Sequence, residues 1–217
     1  MKNYIIAVDG PAGSGKSTIS KIVASRLNFT YLDTGAMYRM ITYYVIKNKI
    51  DIENKKSVEN MLENIKLDIV KDNFFVNGKD VSKEIRGVEV TQMVSQVASI
   101  KEVRTKLVDL QREISKGKKV ILDGRDIGTV VFPNANLKIF LNASSEERAN
   151  RRLKEFLEKG IEQSYEEVLE DIIKRDKMDS EREESPLKKA EDAVEIDTST
   201  LTIEGVSEKI IDLILND

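Results

Sequence analysis

The stretch "YIIAVDGPAGSGKST", residues 4–18, decides the fold. Its first part is a run of apolar residues stopped by Gly10 and Pro11, as expected of a buried parallel strand. Its second part fits the pattern Gly-x-x-x-x-Gly-Lys-Ser, with Gly10, Gly15, Lys16 and Ser17 at the fixed positions. "STISKIVASRL" then reads as a helix ending near Asn28. Strand, glycine-rich loop and helix, in that order, form a phosphate site. The glycines let the backbone wrap an anion with its amides inward, and the helix offers the positive end of its dipole. By average residue usage the pattern arises by chance in a chain of this length roughly once in a hundred. The loop Gly10, Pro11, Ala12, Gly13, Ser14, Gly15, Lys16, Ser17 and Thr18 is expected to hold the phosphates of a nucleotide, which the resemblance given below makes ATP. Lys16 would bridge the β- and γ-phosphates and the Ser17 hydroxyl would bind Mg²⁺. Asp123 closes the apolar run "KKVIL", a strand end from which a carboxylate reaches the metal directly or through water. An aspartate there equally caps a turn or a helix.

Outward from the loop the pattern repeats. "TYLD" (30–33) reads as a second strand and "GAMYRMITYYVIKN" (35–48) as a second helix, which suggests βαβ units on a parallel sheet. Residues 66–85 alternate apolar and polar side chains around Asp72, Asn73, Asn77 and Gly78, predicting a small antiparallel hairpin inserted in the α/β frame. A helical stretch follows over 88–117, broken near Ser99 and capped by Gly117. "KKVILDG", "LKIFLNA" and "AVEIDTS" supply three further strands, and "IEGVSEKIIDLIL" a closing helix. Ser144 to Glu147 and Ser164 to Glu167 have capping-box spacing, and Lys159-Gly160 looks like a stop between the helices they begin. There is no internal repeat and no linker rich in Gly, Pro or Ser, so one domain is expected.

Composition removes several chemistries. The 217 residues include no cysteine and no histidine, which excludes disulfides, thiolate chemistry, imidazole metal sites and every Ser-His or Cys-His arrangement. Any general base is therefore a carboxylate, or dispensable. The net charge of −3 gives no basic footprint for a nucleic acid polymer. "MKNYIIAVDG" lacks the apolar core of a signal peptide, and no stretch approaches the ~18 apolar residues of a membrane span, so a cytoplasmic protein is expected. Asn48-Lys49-Ile50-Asp51 matches a guanine-reading string, but a helix rather than a buried strand precedes it, and no glycine has an aspartate three residues before it. A GTPase switch is disfavoured.

Four other strings bear on the acceptor: "LDTGAMYR" (32–39), "SQVASIKEVR" (95–104), "DGRDIGTVVFP" (123–133) and "SSEERANRR" (144–152). With "DGPAGSGKS" they resemble the bacterial cytidylate kinase family, in the same order from residue 4 to about 212. The resemblance implies a P-loop kinase of α/β class that transfers phosphate from ATP to CMP and dCMP in pyrimidine nucleotide metabolism. Its five parallel strands would have the order 2-3-1-4-5. It also implies a core of 1–34, 87–143 and 190–217, a monophosphate-binding region with its antiparallel insert at 35–86, and a helical lid at 144–189. A monomer is expected.

Residue by residue, the chemistry agrees. Cytosine offers an amino donor at N4 and acceptors at N3 and O2, so Asp126 would accept from N4 while Arg104 and Ser95 donate. Spacing alone reads these equally as a strand-end cap, a solvated helix arginine and a packed serine. The resemblance selects Arg39 and Arg125, with Thr34, for the substrate phosphate, where many relatives have Ser at the Thr34 position. Arginine suits this because its planar fork makes bidentate contact. Arg148, Arg151 and Arg152 lie on one helix face, and Arg175, Asp179 and Arg182 on another. Taken bare, each set is a solvated face with ion pairs such as Glu147 with Arg151. By family position, Arg175, Asp179 and Arg182 close on the ribose and phosphate of CMP, and Arg148 and Arg152 lie near ATP. Lys16, Arg125, Arg175 and Arg182 are the expected catalytic residues. The acceptor oxygen is already deprotonated at pH 7, so positioning and charge neutralisation suffice without a histidine.

Overall fold

The computed structural model describes residues 3–158 and 160–216. In chain order the elements begin with β1 (Tyr4–Asp9), α1 (Lys16–Leu27), β2 (Thr30–Asp33), α2 (Thr34–Lys47), α3 (Lys55–Asn64), β3 (Leu67–Val70), β4 (Asn73–Val76) and β5 (Lys79–Asp80). They continue with α4 (Val88–Ser99), α5 (Lys101–Ser115), β6 (Lys119–Gly124), β7 (Leu137–Asn142), α6 (Ser145–Glu158), α7 (Tyr165–Glu181), β8 (Val194–Asp197) and α8 (Ile203–Leu215). The chain divides into two compact units, one of Met1–Leu32 with Ser115–Asp217 and the other of Asp33–Ile114.

The first unit is the α/β frame. Its sheet has the order β2-β6-β1-β7-β8, which is 2-3-1-4-5 counted among its own strands, as the resemblance implies. β1 lies in the middle, parallel to β6 with Val8 opposite Asp123, and parallel to β7 with Val8 opposite Ile139. A strand covered on both faces is apolar throughout, which is why "YIIAV" reads as an unbroken run. Ile6, Val8, Ile121, Ile139 and Leu141 from the sheet pack with Ile19 and Val23 of α1 and Val206 and Ile210 of α8 in one buried cluster. α1 ends as expected at Asn28, whose left-handed backbone (φ 56°) lets Phe29 N donate to Ala24 O at 2.9 Å.

α6 and α7 share a smaller cluster of Ala149, Val168 and Ile172. The capping box at Ser164 forms in both directions with Glu167. The one at Ser144 is half-formed: Glu147 N donates to Ser144 Oγ at 3.1 Å, but the Glu147 carboxylate accepts from Arg151. The Ser144 amide instead donates to Ser199 Oγ at 3.2 Å. α6 stops at Glu158, and Gly160 has φ 68°. Lys159 lies outside the described residues.

In the second unit the predicted hairpin is found with a third strand, giving an antiparallel sheet β3-β4-β5. Asn77 and Gly78 both have positive φ (49° and 79°), the twist a two-residue hairpin turn requires. α3, capped by Asn54 accepting from Ser57 N at 3.2 Å, has no counterpart among the predicted elements. The helical stretch over 88–117 breaks at Ile100, one residue past the expected point, and Gly117 has the left-handed φ (73°) of a cap. Among the described residues no helix is long and apolar enough to cross a membrane.

Candidate active site

The phosphate loop emerges from the C-terminal end of β1, where ligands of such sheets bind. Gly10 has φ 147°, and a Cβ there would lie 2.0 Å from Leu141 O of β7, so no larger residue fits. Gly13 and Gly15 have φ of 77° and 86°. The loop's carbonyls are tied from outside: Arg148 Nη1 donates to Ala12 O at 3.0 Å, and the Thr198 hydroxyl is shared between Ser14 O at 3.3 Å and Asn142 O at 3.1 Å. Lys16 is buried, with Nζ donating to Pro11 O at 2.6 Å and Ser14 Oγ at 3.2 Å. Burial pushes its ammonium well below the ordinary lysine range and Arg125 adds to the effect, against Asp123 and Asp9.

Ser17 Oγ donates to Asp123 Oδ2 at 2.7 Å, so the loop hydroxyl and the strand-end carboxylate meet as the sequence suggests. Tyr31 of β2 donates to the other oxygen, Asp123 Oδ1, at 2.7 Å and fixes the plane of the carboxylate. Thr18 lies within α1.

β6 runs directly into a π-type turn over Ile127–Val131, in which Val131 N donates to Asp126 O at 3.1 Å and Phe132 N to Ile127 O at 2.7 Å. Such turns are rare and frequently sit at functional sites. Arg125 and Asp126 stand at its entrance. Arg125 Nε donates to Asp179 Oδ2 of α7 at 3.0 Å, and Arg182 Nη2 lies 3.5 Å from Asp126 Oδ1. α7 therefore brings Arg175 and Asp179, and its C-terminal cap residue Arg182, to the end of β6. Burial pushes the Asp179 carboxyl up, but Arg125, Arg175 and Arg182 outweigh that and hold it below the ordinary carboxylate value. Burial and the neighbouring Arg125 push Arg175 down to about 10, and its buried Nε has no hydrogen-bond partner among the described residues. Arg125, Arg175 and Arg182 thus gather about Asp179 and Asp126, with Asp176 also acting on Arg175, a cluster of guanidinium groups suited to an anion.

Arg148 is itself a brace, donating also to Ala143 O at 3.0 Å and pairing with Asp176 at 2.6 Å. Arg151 pairs with Glu147 as expected and donates to both oxygens of Thr198. Arg152 lies over the Phe156 ring and pairs with Glu155.

Thr34, Arg39, Ser95 and Arg104 belong to the second unit. Thr34 and Ser95 are buried. Arg39 donates to Thr91 Oγ1 at 2.8 Å and Ile85 O at 3.2 Å. Arg104 is buried, donating to Ala98 O at 3.0 Å with its guanidinium over Tyr38, so the solvated-arginine alternative does not hold. Sequence reasoning passed over Asp9, Tyr31, Asp176 and Thr198, whose partners are tens to hundreds of residues away. Of these, Asp9 is the first residue of "DGPAGSGKS" and Asp176 adjoins Arg175.

The sequence profile of the cytidylate kinase family matches residues 6–216. A cytidylate kinase of Fusobacterium nucleatum subsp. nucleatum is 60% identical over 95% of this chain and 94% of its own. That of Clostridioides difficile is 54% identical over 97% and 98% respectively. Among solved structures, a protein from Eubacterium ventriosum shares the fold with a TM-score of 0.56 at 13% identity, covering 99% of each chain. On the family match and these identities, the chain belongs to the cytidylate kinase family.

Proposed function

We propose that the chain transfers the γ-phosphoryl group of ATP to CMP and dCMP, giving CDP and dCDP. One observation carries this reading beyond family membership. β6, the strand paired with β1, delivers Asp123 beside Ser17 and, two residues on, an anion-gathering Arg125 next to a carboxylate, Asp126. Donor phosphates, acceptor phosphate and acceptor base thus have candidate partners at the ends of two neighbouring strands.

Lys16 and the loop amides hold the β- and γ-phosphates, and Arg125, Arg175 and Arg182 gather the acceptor phosphate. Their positive charge offsets the repulsion between two anions brought in line, the main barrier when the acceptor oxygen needs no deprotonation. Asp179 keeps Arg125 oriented. Asp126 accepts from the N4 amine, and with uracil it would face an oxygen, at about 1–3 kcal/mol. Thr34, Arg39, Ser95 and Arg104 are assigned to CMP, and Arg152 with Arg148 to ATP, by family position.

The residues present fit Mg²⁺. A hydroxyl and a carboxylate oxygen meet at the loop, and the described residues hold no group of three or more His, Cys, Asp or Glu suited to a metal. Mg²⁺ is commonly held this way, by one or two carboxylates together with substrate phosphates. Ser17 and Asp123, the latter directly or through water, would hold the ion, which would supply neutralisation of the donor's phosphate charge.

A panel of CMP, dCMP, UMP, AMP and shikimate at fixed ATP and Mg²⁺, read as ADP production, tests the reading. CMP and dCMP are expected to raise ADP production far above the others. A rate with CMP equal to that with no acceptor would overturn it.

A further inference from the structure

Asp9, the last residue of β1, is buried in the middle of the sheet and is neither a loop glycine nor one of the charged groups gathered on α7. Its two carboxylate oxygens each accept a backbone amide, Oδ1 from Ile127 N at 2.8 Å and Oδ2 from Gly128 N at 2.7 Å. The Ile127 amide belongs to the peptide whose carbonyl is that of Asp126. That carbonyl in turn accepts from Val130 N at 2.9 Å and Val131 N at 3.1 Å. The peptide that leaves Asp126 is therefore held at both its ends. Asp126 itself has φ −144° and ψ 24°, neither helical nor extended, so no regular ladder fixes it. A Cβ at Gly128 would crowd the Lys138 side chain, at 3.1 Å from Cδ, and would only touch Asp9 Oδ2 at an ordinary 3.4 Å.

We propose that Asp9 is a positioning residue for acceptor recognition: through the amides of Ile127 and Gly128 it aims Asp126 at the cytosine amine. This rests on the assignment of Asp126 to the base. The ATP side has separate ties, because the loop carbonyls are held by Arg148, Lys16 and Thr198, and Asp9 reaches it only through its charge on Lys16, which Asp9→Asn removes as well. A buried carboxylate is also costly where an apolar side chain would pack freely. Burial pushes Asp9 up to about 6 even though both amides oppose the shift. Its retention in a β-sheet core is understandable if the clamp serves the reaction.

The experiment uses the full chain as wild type, Asp9→Asn and Asp9→Ala, with thermal unfolding and steady-state kinetics in CMP, UMP and ATP. Alanine removes both acceptors, while asparagine keeps the shape and one acceptor. Releasing a clamp worth about 1–2 kcal/mol changes an equilibrium about tenfold. For Asp9→Ala we expect KM for CMP to rise about tenfold, the CMP/UMP ratio of kcat/KM to fall by a similar factor, and KM for ATP to stay within about twofold. Asp9→Asn is expected to fall between. A folded Asp9→Ala protein with an unchanged CMP/UMP ratio overturns the inference, as does a parallel rise in KM for ATP. Failure of both variants to fold also overturns it, since Asp9 would then be a core residue only. Wild-type protein that gives no CMP-dependent ADP defeats the proposed reaction itself, whereas an active wild type with indifferent Asp9 variants defeats this inference alone.

Discussion

The phosphate loop and the arginine cluster are both suited to anions, and they are held in contrasting ways. Around Gly10–Thr18 the shape is set by the backbone: glycines at positive φ, Ser14 Oγ turned onto Pro11 O, and loop carbonyls that accept from Arg148, Lys16 and Thr198. Around Arg125, Arg175 and Arg182 the shape is set by charge, with Asp179 and Asp126 balancing part of three guanidinium groups. Two buried carboxylates report the contrast. Asp9, facing amides, is raised, and Asp179, facing arginines, is lowered. A carbonyl needs no charge of its own to hold its donor, whereas a carboxylate of the cluster balances its arginines only while ionised, so the cluster is the more sensitive of the two to pH.

The largest expected effect is catalytic. Lys16→Ala and Arg125→Ala should each lower kcat about 100-fold or more, measured by coupled ADP production, because each removes charge aimed at the transferring group. Near-normal turnover in either would break the assignment of that region. Next, Asp179→Ala should reduce unfolding free energy by about 3 kcal/mol, read by denaturant titration, since it leaves Arg125 without its buried partner. Asp179→Asn, which keeps the shape without the charge, should lose a comparable amount. A loss confined to the alanine variant would mean packing, not charge, holds the cluster.

A smaller effect concerns choice of base. Asp126→Ala should narrow the CMP/UMP ratio of kcat/KM about tenfold, and an unchanged ratio removes Asp126 from the base pocket. The smallest effect per step is pH dependence. Asp9 has a native pKa of about 6 against 3.8 ordinarily, so its contribution to stability is full below pH 3.8 and is lost as pH rises through about 6. The slope is at most ~1.4 kcal/mol per pH unit. Asp126 and Lys16 face Asp9 with opposite effects on it, and Lys138 approaches Gly128. Asp179 has the opposite sign, contributing stability above pH 3.8 that is lost as pH falls through its lowered value. Melting curves of wild type and Asp9→Asn from pH 4 to 7 should converge toward the acid end only if the Asp9 assignment is right.

The legible parts of the molecule are those whose causes lie close together in the chain. β1, the loop and α1 announce themselves within 24 residues, from Tyr4 to Leu27, because the conformational demand and the residues meeting it are adjacent. Asn77-Gly78 likewise marks its turn by backbone preference alone. β5, two residues long, has no room for an alternation, and α3 shows an amphipathic face over only ten residues. The braces are silent for another reason. Arg148 to Ala12, Thr198 to Ser14 and Asp9 to Gly128 join positions more than a hundred residues apart, and no periodicity encodes a bond across such a gap. Arg125 and Asp126 were found through the resemblance, since a charged pair after a strand has a capping role equally available.

The Thr198 brace has a bearing on the order of events during synthesis. The phosphate loop is translated well before this fastening residue, since Ser14 O waits for a hydroxyl 184 residues downstream. Nascent protein halted short of that threonine would carry an unfastened cradle, so tight nucleotide capture should be a late acquisition. Limited proteolysis of ribosome-stalled lengths, with and without ATP, should show ligand protection arising only after β8 has emerged, and protection in shorter lengths would refute this.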